Sequence, residues 1–206
     1  MPSSPISLRL GVLSSHSGTN MQAIIDANKS GRLAAHVNVA ISNNSTSMTL
    51  VRARREGIPG YHLSSKTHPD PGNLDRAILT TLIDHEVNLV VMAGYTKLLG
   101  PVTIDNFRGR ALNIHPSLLP KFGGKGLYGP AVQRAVLAAG ESLTGVTIHL
   151  ADELLDHGRI IAQTKVPVLK NDSEVSLGKR VLAQEHELYV KTLLQIEYGN
   201  IELSGW

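Results

Sequence analysis

The chain has 206 residues, of which 42% are hydrophobic and 18% charged, and its formal net charge is +3. This suits one soluble globular domain with a real core, and no basic run demands nucleic acid. Only 4% of residues are aromatic, which argues against a base-stacking surface, and the lack of cysteine excludes disulfides, thiol catalysis and cysteine metal sites.

Leu8 to Leu13 is a short apolar run of strand type, ending in the small polar turn Ser14 to Asn20. A helix is expected from about Asn20 to near Gly31, with Met21, Ile24 and Ile25 on one face. His36 to Ile41 reads as a second strand and Met48 to Glu56 as a second helix, closed by Gly57 and Pro59. Tyr61 to Leu63 reads as a third strand. Ser64 to Gly72 holds two prolines and a glycine and reads as a loop. A third helix follows, Asn73 to His85. Leu89 to Met92 is apolar on both faces, as a buried parallel strand should be. Ala93 to Gly100 is a loop, and Pro101 to Phe107 a short helix with proline at its start. Ala111 to His115 is the next strand, stopped by Pro116.

The second part differs. Lys121 to Gly129 is a glycine-rich loop, and a helix follows from Pro130 to Ala139. The strand-like runs Thr144 to Leu150 and Arg159 to Val168 are too close for a crossover helix, so they should form an antiparallel hairpin. Asp172 or Ser173 caps a long last helix reaching about Tyr198, and Ile201 to Leu203 is expected to add an edge strand. The fold class is therefore α/β: a mostly parallel, Rossmann-like twisted sheet with helices on both faces and an antiparallel hairpin in the C-terminal part. Neither an internal repeat nor linker composition appears, so a single domain over residues 1–206 is expected. The stretch Met1 to Ser7 is too short and polar for a signal peptide, and no apolar run reaches about 18 residues.

Ligands of such sheets bind outside the carboxyl ends of the strands. Three polar segments converge there: Ser14 to Asn20, Ala93 to Gly100, and Asn113 with His115. The last two side chains stand at i and i+2, so they project together from a strand end. An amide donor beside an imidazole suits a carbonyl carbon passing through a tetrahedral oxyanion. The same pair also fits a structural role in closing a turn. At the first turn, Gly18, Thr19 and Asn20 precede a helix, where free N–H groups and the helix dipole favour one phosphomonoester. A plain strand-to-helix turn fits there as well. Neither a dinucleotide glycine fingerprint nor a Walker lysine is present.

The hairpin connection carries Asp152, Glu153 and Asp156. Charged loops are usually solvated, but a carboxylate folded back onto His115 would fix its tautomer. His149 reads as a half-buried strand histidine. Metal-ligand spacings of the H-E-x-x-H kind and the serine-hydrolase G-x-S-x-G are absent, so no metal is expected.

The motifs S-x-S-G-T-N-M-Q-A-I (Ser15 to Ile24), A-G-Y-x-K-L-L-G-P (Ala93 to Pro101), L-N-I-H-P-S-L-L-P (Leu112 to Pro120) and G-V-T-I-H-L-A-D-E-L-L-D-H-G (Gly145 to Gly158), with Q-E-H at Gln184 to His186, carry a resemblance. Over about Leu8 to Leu203 the chain resembles the folate-dependent phosphoribosylglycinamide formyltransferase family. The resemblance implies transfer of the formyl group of 10-formyltetrahydrofolate to the amine of a phosphoribosyl glycinamide, without a metal, in purine biosynthesis in the cytoplasm. It implies a phosphate-binding half (8–115) and a folate-binding half with the C-terminal helix (116–206).

The resemblance also implies roles for single residues. Gly18, Thr19 and Asn20 would hold the phosphate and Glu185 would lie near the amine. Asn113 and His115 would stabilise the oxyanion, with His115 as general acid and Asp156 holding it protonated. Thr96, Lys97, Leu98 and Leu99, together with Asn113, would line the folate site. The backbone of Asp152, Glu153, Leu154, Leu155 and Asp156 would clasp the pterin. Small-molecule partners, no nucleic acid, no membrane and a monomer or homodimer follow.

Departures from the family pattern are Lys97 where arginine is common, a 66–72 loop with no arginine, for which Lys66 is a candidate substitute, and a long 121–129 loop whose lysines could reach an anionic ligand but are read as solvent-exposed. A formyl-folate hydrolase, an enzyme with another amine acceptor, and a non-catalytic binding module are the alternatives. A methionyl-tRNA formyltransferase would carry an added tRNA-binding domain.

Overall fold

The computed structural model describes residues 6–204, so most of the polar stretch Met1 to Ser7 lies outside the described residues. Among the described residues, seven strands form one sheet in the order β3-β2-β1-β4-β5-β6-β7. They are β1 (Arg9–Leu13), β2 (His36–Ser42), β3 (Gly60–His62), β4 (Leu89–Met92), β5 (Ala111–His115), β6 (Leu143–Leu150) and β7 (Ile160–Pro167). The first five pair in parallel, and β6 joins both β5 and β7 antiparallel. The helices are α1 (Thr19–Lys29), α2 (Met48–Arg55), α3 (Pro71–Asp84), α4 (Pro101–Asn106), α5 (Pro130–Ala138) and α6 (Glu174–Glu197).

The period-two alternation of each central strand splits the core into two layers. Leu10, Val12, Leu89, Val91, Leu112 and Ile114 face the layer built with α1, α5 and α6. Leu13, Val90, Met92 and Ala111 face the layer closed by α3 and α4. Burial on both faces is why β4 is apolar throughout. Gly11 is the exception in β1 because α3 comes close: a Cβ there would lie 2.4 Å from Leu82 Cδ2.

Two details differ from the sequence expectation. Pro71 and Gly72 belong to the first turn of α3, not to a loop. Asp70 caps that turn by accepting the Asn73 N–H at 2.7 Å, and proline is tolerated where no intrahelical donor is required. Ile201 to Leu203 forms no strand. The tail instead passes Gly109, where an added Cβ would meet Ser204 O at 2.1 Å, and Leu203 is buried in the α6-side layer.

Asp75, on α3 and only 4% exposed, fixes the approach to the β4–α4 loop. It accepts the N–H groups of Val102 (2.8 Å) and Thr103 (3.1 Å) and the Thr103 hydroxyl (2.5 Å), so it satisfies the start of α4 from a neighbouring helix. Gly100 leaves room for that carboxylate, since a Cβ would sit 2.2 Å from its Cγ. Asp75→Ala is expected to cost about 3 kcal/mol, because it orphans buried donors bonded to a charged group. Urea unfolding checks this; a loss below about 1 kcal/mol would contradict it.

Candidate active site

The carboxyl ends of β1, β4 and β5 open into a cleft of about 1050 Å³. On its first wall, β1 ends and the chain turns through Ser14 to Gly18 into α1. Gly18 has φ +65°, a left-handed conformation suited to glycine, and a Cβ there would lie 2.8 Å from Thr49 Oγ1. No side chain caps α1. Among the described residues the amides of Gly18, Thr19 and Asn20 have no intramolecular acceptor, so the helix start keeps donors for a ligand. Gly18, Thr19 and Asn20 all line the cleft.

The second wall is the end of β5. Asn113 and His115 share one face, as the i, i+2 spacing requires. The antiparallel register places His149 directly opposite Asn113 and Thr147 opposite His115. Asp156 closes the group from the β6–β7 connection. Its Oδ1 lies 3.5 Å from His115 Nδ1, from His149 Nε2 and from Asn113 Nδ2. The Asn113 amide nitrogen is also 3.1 Å from His149 Nε2. Burial of Asp156 opposes its ionisation. The bonds with His115 and His149, the charge of His115 and the Gly124 N–H outweigh that cost and hold the carboxyl well below the usual carboxylate range. Asp156 has φ +57°, so the strained backbone itself turns the carboxylate inward.

The 121–129 loop is part of this wall, although its lysines, Lys121 and Lys125, are exposed as read. The Phe122 carbonyl is 2.8 Å from His115 Nε2, and the Gly124 N–H donates to Asp156 Oδ2 at 2.8 Å. A carbonyl only accepts, so His115 Nε2 carries a proton. Both ring nitrogens of His115 thus face acceptors. His149 is likewise more than a half-buried strand histidine: it is 2% exposed and touches both Asn113 and Asp156. Strand register was the signal for His149. The loop contributes through its backbone, which residue types do not advertise.

The β4–α4 loop and the β6–β7 connection form the third wall. Thr96, Lys97, Leu98 and Leu99 line the cleft, as do Asp152, Leu154, Leu155 and Asp156. Glu153 does not; it turns outward to Arg108 at 2.9 Å. Lys66 also lies outside the lining, whereas exposed Lys97 and Lys125 are within it. Ser15 ties this wall to the first, its hydroxyl accepting the Thr96 N–H at 2.9 Å.

α6 supplies the last group. The buried Tyr189 hydroxyl sits 2.9 Å and 3.1 Å from the carbonyls of Met92 and Leu112 and pins the helix to the ends of β4 and β5. One turn earlier, Glu185 faces the cleft and accepts from the Asn20 amide at 2.8 Å. Burial pushes its carboxyl up to about 7, against the opposing pull of Asn20 and the charge of His115. Five sequence-separated segments, at residues 18–20, 96–99, 113–115, 152–156 and 185, therefore meet at the cleft, around an ionised carboxylate and a second carboxyl raised toward neutrality.

Residues 8–193 match the Formyl transferase family. The chain is 44% identical over 186 residues to the chloroplastic phosphoribosylglycinamide formyltransferase of Vigna unguiculata, covering 90% of this chain and 59% of that protein's length. It is 38% identical to the phosphoribosylglycinamide formyltransferase of Haemophilus influenzae, covering 95% of this chain and 90% of that one. The crystal structure of glycinamide ribonucleotide transformylase 1 from Symbiobacterium toebii superposes with a TM-score of 0.89 at 38% identity, covering 97% and 92% of the two chains. The seven-stranded sheet, the cleft at its carboxyl edge and these likenesses agree, and the chain belongs to the formyl transferase family.

Proposed function

We propose that this protein is a phosphoribosylglycinamide formyltransferase: it moves the formyl group of 10-formyltetrahydrofolate to the amine of N1-(5-phosphoribosyl)glycinamide in purine biosynthesis. The observation that carries the reading is the cluster of Asn113, His115 and Asp156 at the end of β5, facing a cleft with an uncapped helix start on one side and Glu185 on the other. Relatives named for this activity support it.

Each wall has one task. Gly18, Thr19 and Asn20 hold the phosphate through backbone N–H groups and the dipole of α1. Glu185 orients the amine and takes the ammonium's charge when ionised. Thr96 to Leu99 and the 152–156 backbone hold the folate, Lys97 offering a point charge where a guanidinium would give a fork. The amine nitrogen attacks the formyl carbon, and its carbonyl oxygen becomes an oxyanion. Asn113 donates to that oxygen and His115 stabilises its charge; each such donor is worth about 10² to 10³ in rate. Asp156 keeps the imidazole charged and, through water, passes the proton lost by the amine to N10 of the leaving folate. The carbon–N10 bond then breaks, giving the N-formyl product and tetrahydrofolate. His149 completes the frame by fixing Asn113 and Asp156.

The residues assign this chemistry to organic groups, and no metal has a task in it. No described helix is long and apolar enough to cross a membrane, and the reading places the enzyme in the cytoplasm. The test is tetrahydrofolate release from 10-formyltetrahydrofolate, followed spectroscopically with and without the phosphoribosyl glycinamide. Amine-dependent release is expected. Release without the amine would make the protein a hydrolase, and folate binding without release under either condition would make it a binding module or a transferase for another acceptor.

A further inference from the structure

The free donors at the start of α1 follow a turn whose carbonyls are all engaged elsewhere. Each carbonyl from Ser15 to Gly18 has a partner. Asn44 donates to Ser15 O at 3.3 Å, and the Thr49 N–H donates to His16 O at 3.2 Å. Arg52 Nε donates to Ser17 O at 2.9 Å, and the Gln22 N–H donates to Gly18 O at 3.0 Å. Three of the four partners come from the segment after β2 or from α2, which the mechanism above does not use. With the Ser15, His16 and Ser17 carbonyls held toward α2 and the segment after β2, the following N–H groups are left toward the cleft, an arrangement that favours anions.

Arg52 differs from the other partners. It is the only charged one, and it also reaches back to α1, donating through Nη1 to Gln22 Oε1 at 3.1 Å. It is partly buried, whereas Arg54 and Arg55 on the same helix are exposed. Among the described residues it joins no ion pair, in contrast to Arg55, which meets Glu56. A full positive charge thus sits directly behind the turn and is not neutralised there. Asn20 at the start of α1 is 6% exposed and its Oδ1 has no partner, an unsatisfied acceptor that a ligand hydroxyl, not a phosphate oxygen, would meet.

We propose that Arg52 is a positioning residue for the phosphate of the substrate: it fixes the Ser17 peptide so that the Gly18 to Asn20 amides face the anion, and it adds its charge from behind without touching the ligand. The proposal rests on the phosphoribosyl reading of the cleft. Two effects are combined in one side chain, and they separate by substitution. Arg52→Met removes both the charge and the donors. Arg52→Lys keeps the charge but lacks the fork that reaches Ser17 O and Gln22 Oε1 together. Arg54→Met removes an exposed charge of the same helix and serves as the control.

The experiment measures inorganic phosphate and ribose 5-phosphate binding by calorimetry, and steady-state kinetics with both substrates, on the full chain. Arg52→Met is expected to weaken both phosphate probes about tenfold and to raise KM for the phosphoribosyl substrate about tenfold, with kcat and the folate KM unchanged. Arg52→Lys should fall between Arg52→Met and wild type, and Arg54→Met should match wild type. A circular-dichroism melting curve establishes that each variant is folded. Unchanged phosphate affinity in a folded Arg52→Met protein overturns the role of Arg52 and leaves the substrate reading standing. So does a fall in kcat matching the rise in KM, which would mean general damage to the site. If the wild-type protein binds neither phosphate probe, the substrate reading falls and the proposal falls with it.

Discussion

Asp156→Asn is expected to lower kcat by about 10³-fold while leaving KM for the phosphoribosyl substrate within about twofold, and His115→Ala should do at least as much. Asparagine is the clean substitution here. It preserves shape, and it tolerates the left-handed φ of +57° that this residue adopts. What it removes is the charge facing His115 and His149 and an acceptor for the Gly124 N–H. The amide must present its nitrogen to one of those groups, so His115 loses the anion that faces it and the oxyanion loses the support of that pair. Steady-state kinetics with both substrates, together with phosphate-substrate binding by calorimetry, check this. Turnover within about tenfold of wild type would remove the substituted residue from its role, Asp156 from the proton path or His115 from the oxyanion's stabilisation.

The same carboxylate makes an acid-side prediction whose sign follows from its shift. Its folded value lies below its unfolded one. Its contribution to stability is therefore present above the unfolded carboxylate range, near pH 4, and is lost as pH falls through the folded value. Asp156 thus stays ionised across the neutral range.

Much of this was legible beforehand because it is written in side-chain pattern. The L-V-V-M run of β4 is apolar on both faces only because helices cover both faces. Asn113 and His115 could be placed together because strand geometry alone sets the i, i+2 relation. What stayed hidden depends on pairing or on backbone. His149 enters the site through its register against β5, and nothing in Thr144 to Leu150 says which face of the strand looks into the cleft. Phe122 and Gly124 act through a carbonyl and an N–H, so their side chains carry no signal. Glu153, implied with the rest of the 152–156 loop as a backbone contact, turns its side chain away from the cleft toward Arg108. Ile201 to Leu203 had a strand-like composition without a free sheet edge beside it, and composition yields to partner availability.

Glu185→Gln is expected to stabilise the unliganded protein by about 3 kcal/mol above neutral pH and by only about 1 kcal/mol near pH 5. Burial raises the folded value of this carboxyl to about 7 from its ordinary 4.5. Between those two values the folded state holds the proton more tightly than the unfolded chain. Wild-type stability must therefore fall as pH rises from about 4.5, and the loss is complete once pH passes the folded value. Glutamine keeps the acceptor for Asn20 and cannot ionise, so it escapes that loss. Urea unfolding of both proteins at about pH 5 and about pH 8.5 isolates the effect as a difference of differences. A gap that does not widen with pH would mean that Glu185 ionises freely in the folded protein. Catalysis should move the other way. Glutamine cannot take the charge of the substrate ammonium, so KM for the amine should rise above neutral pH, where the variant is the more stable protein. Opposite signs in one variant are what a carboxyl kept for its substrate at the expense of the empty fold should show. Loss of stability and activity together would instead mark Glu185 as a structural partner of Asn20.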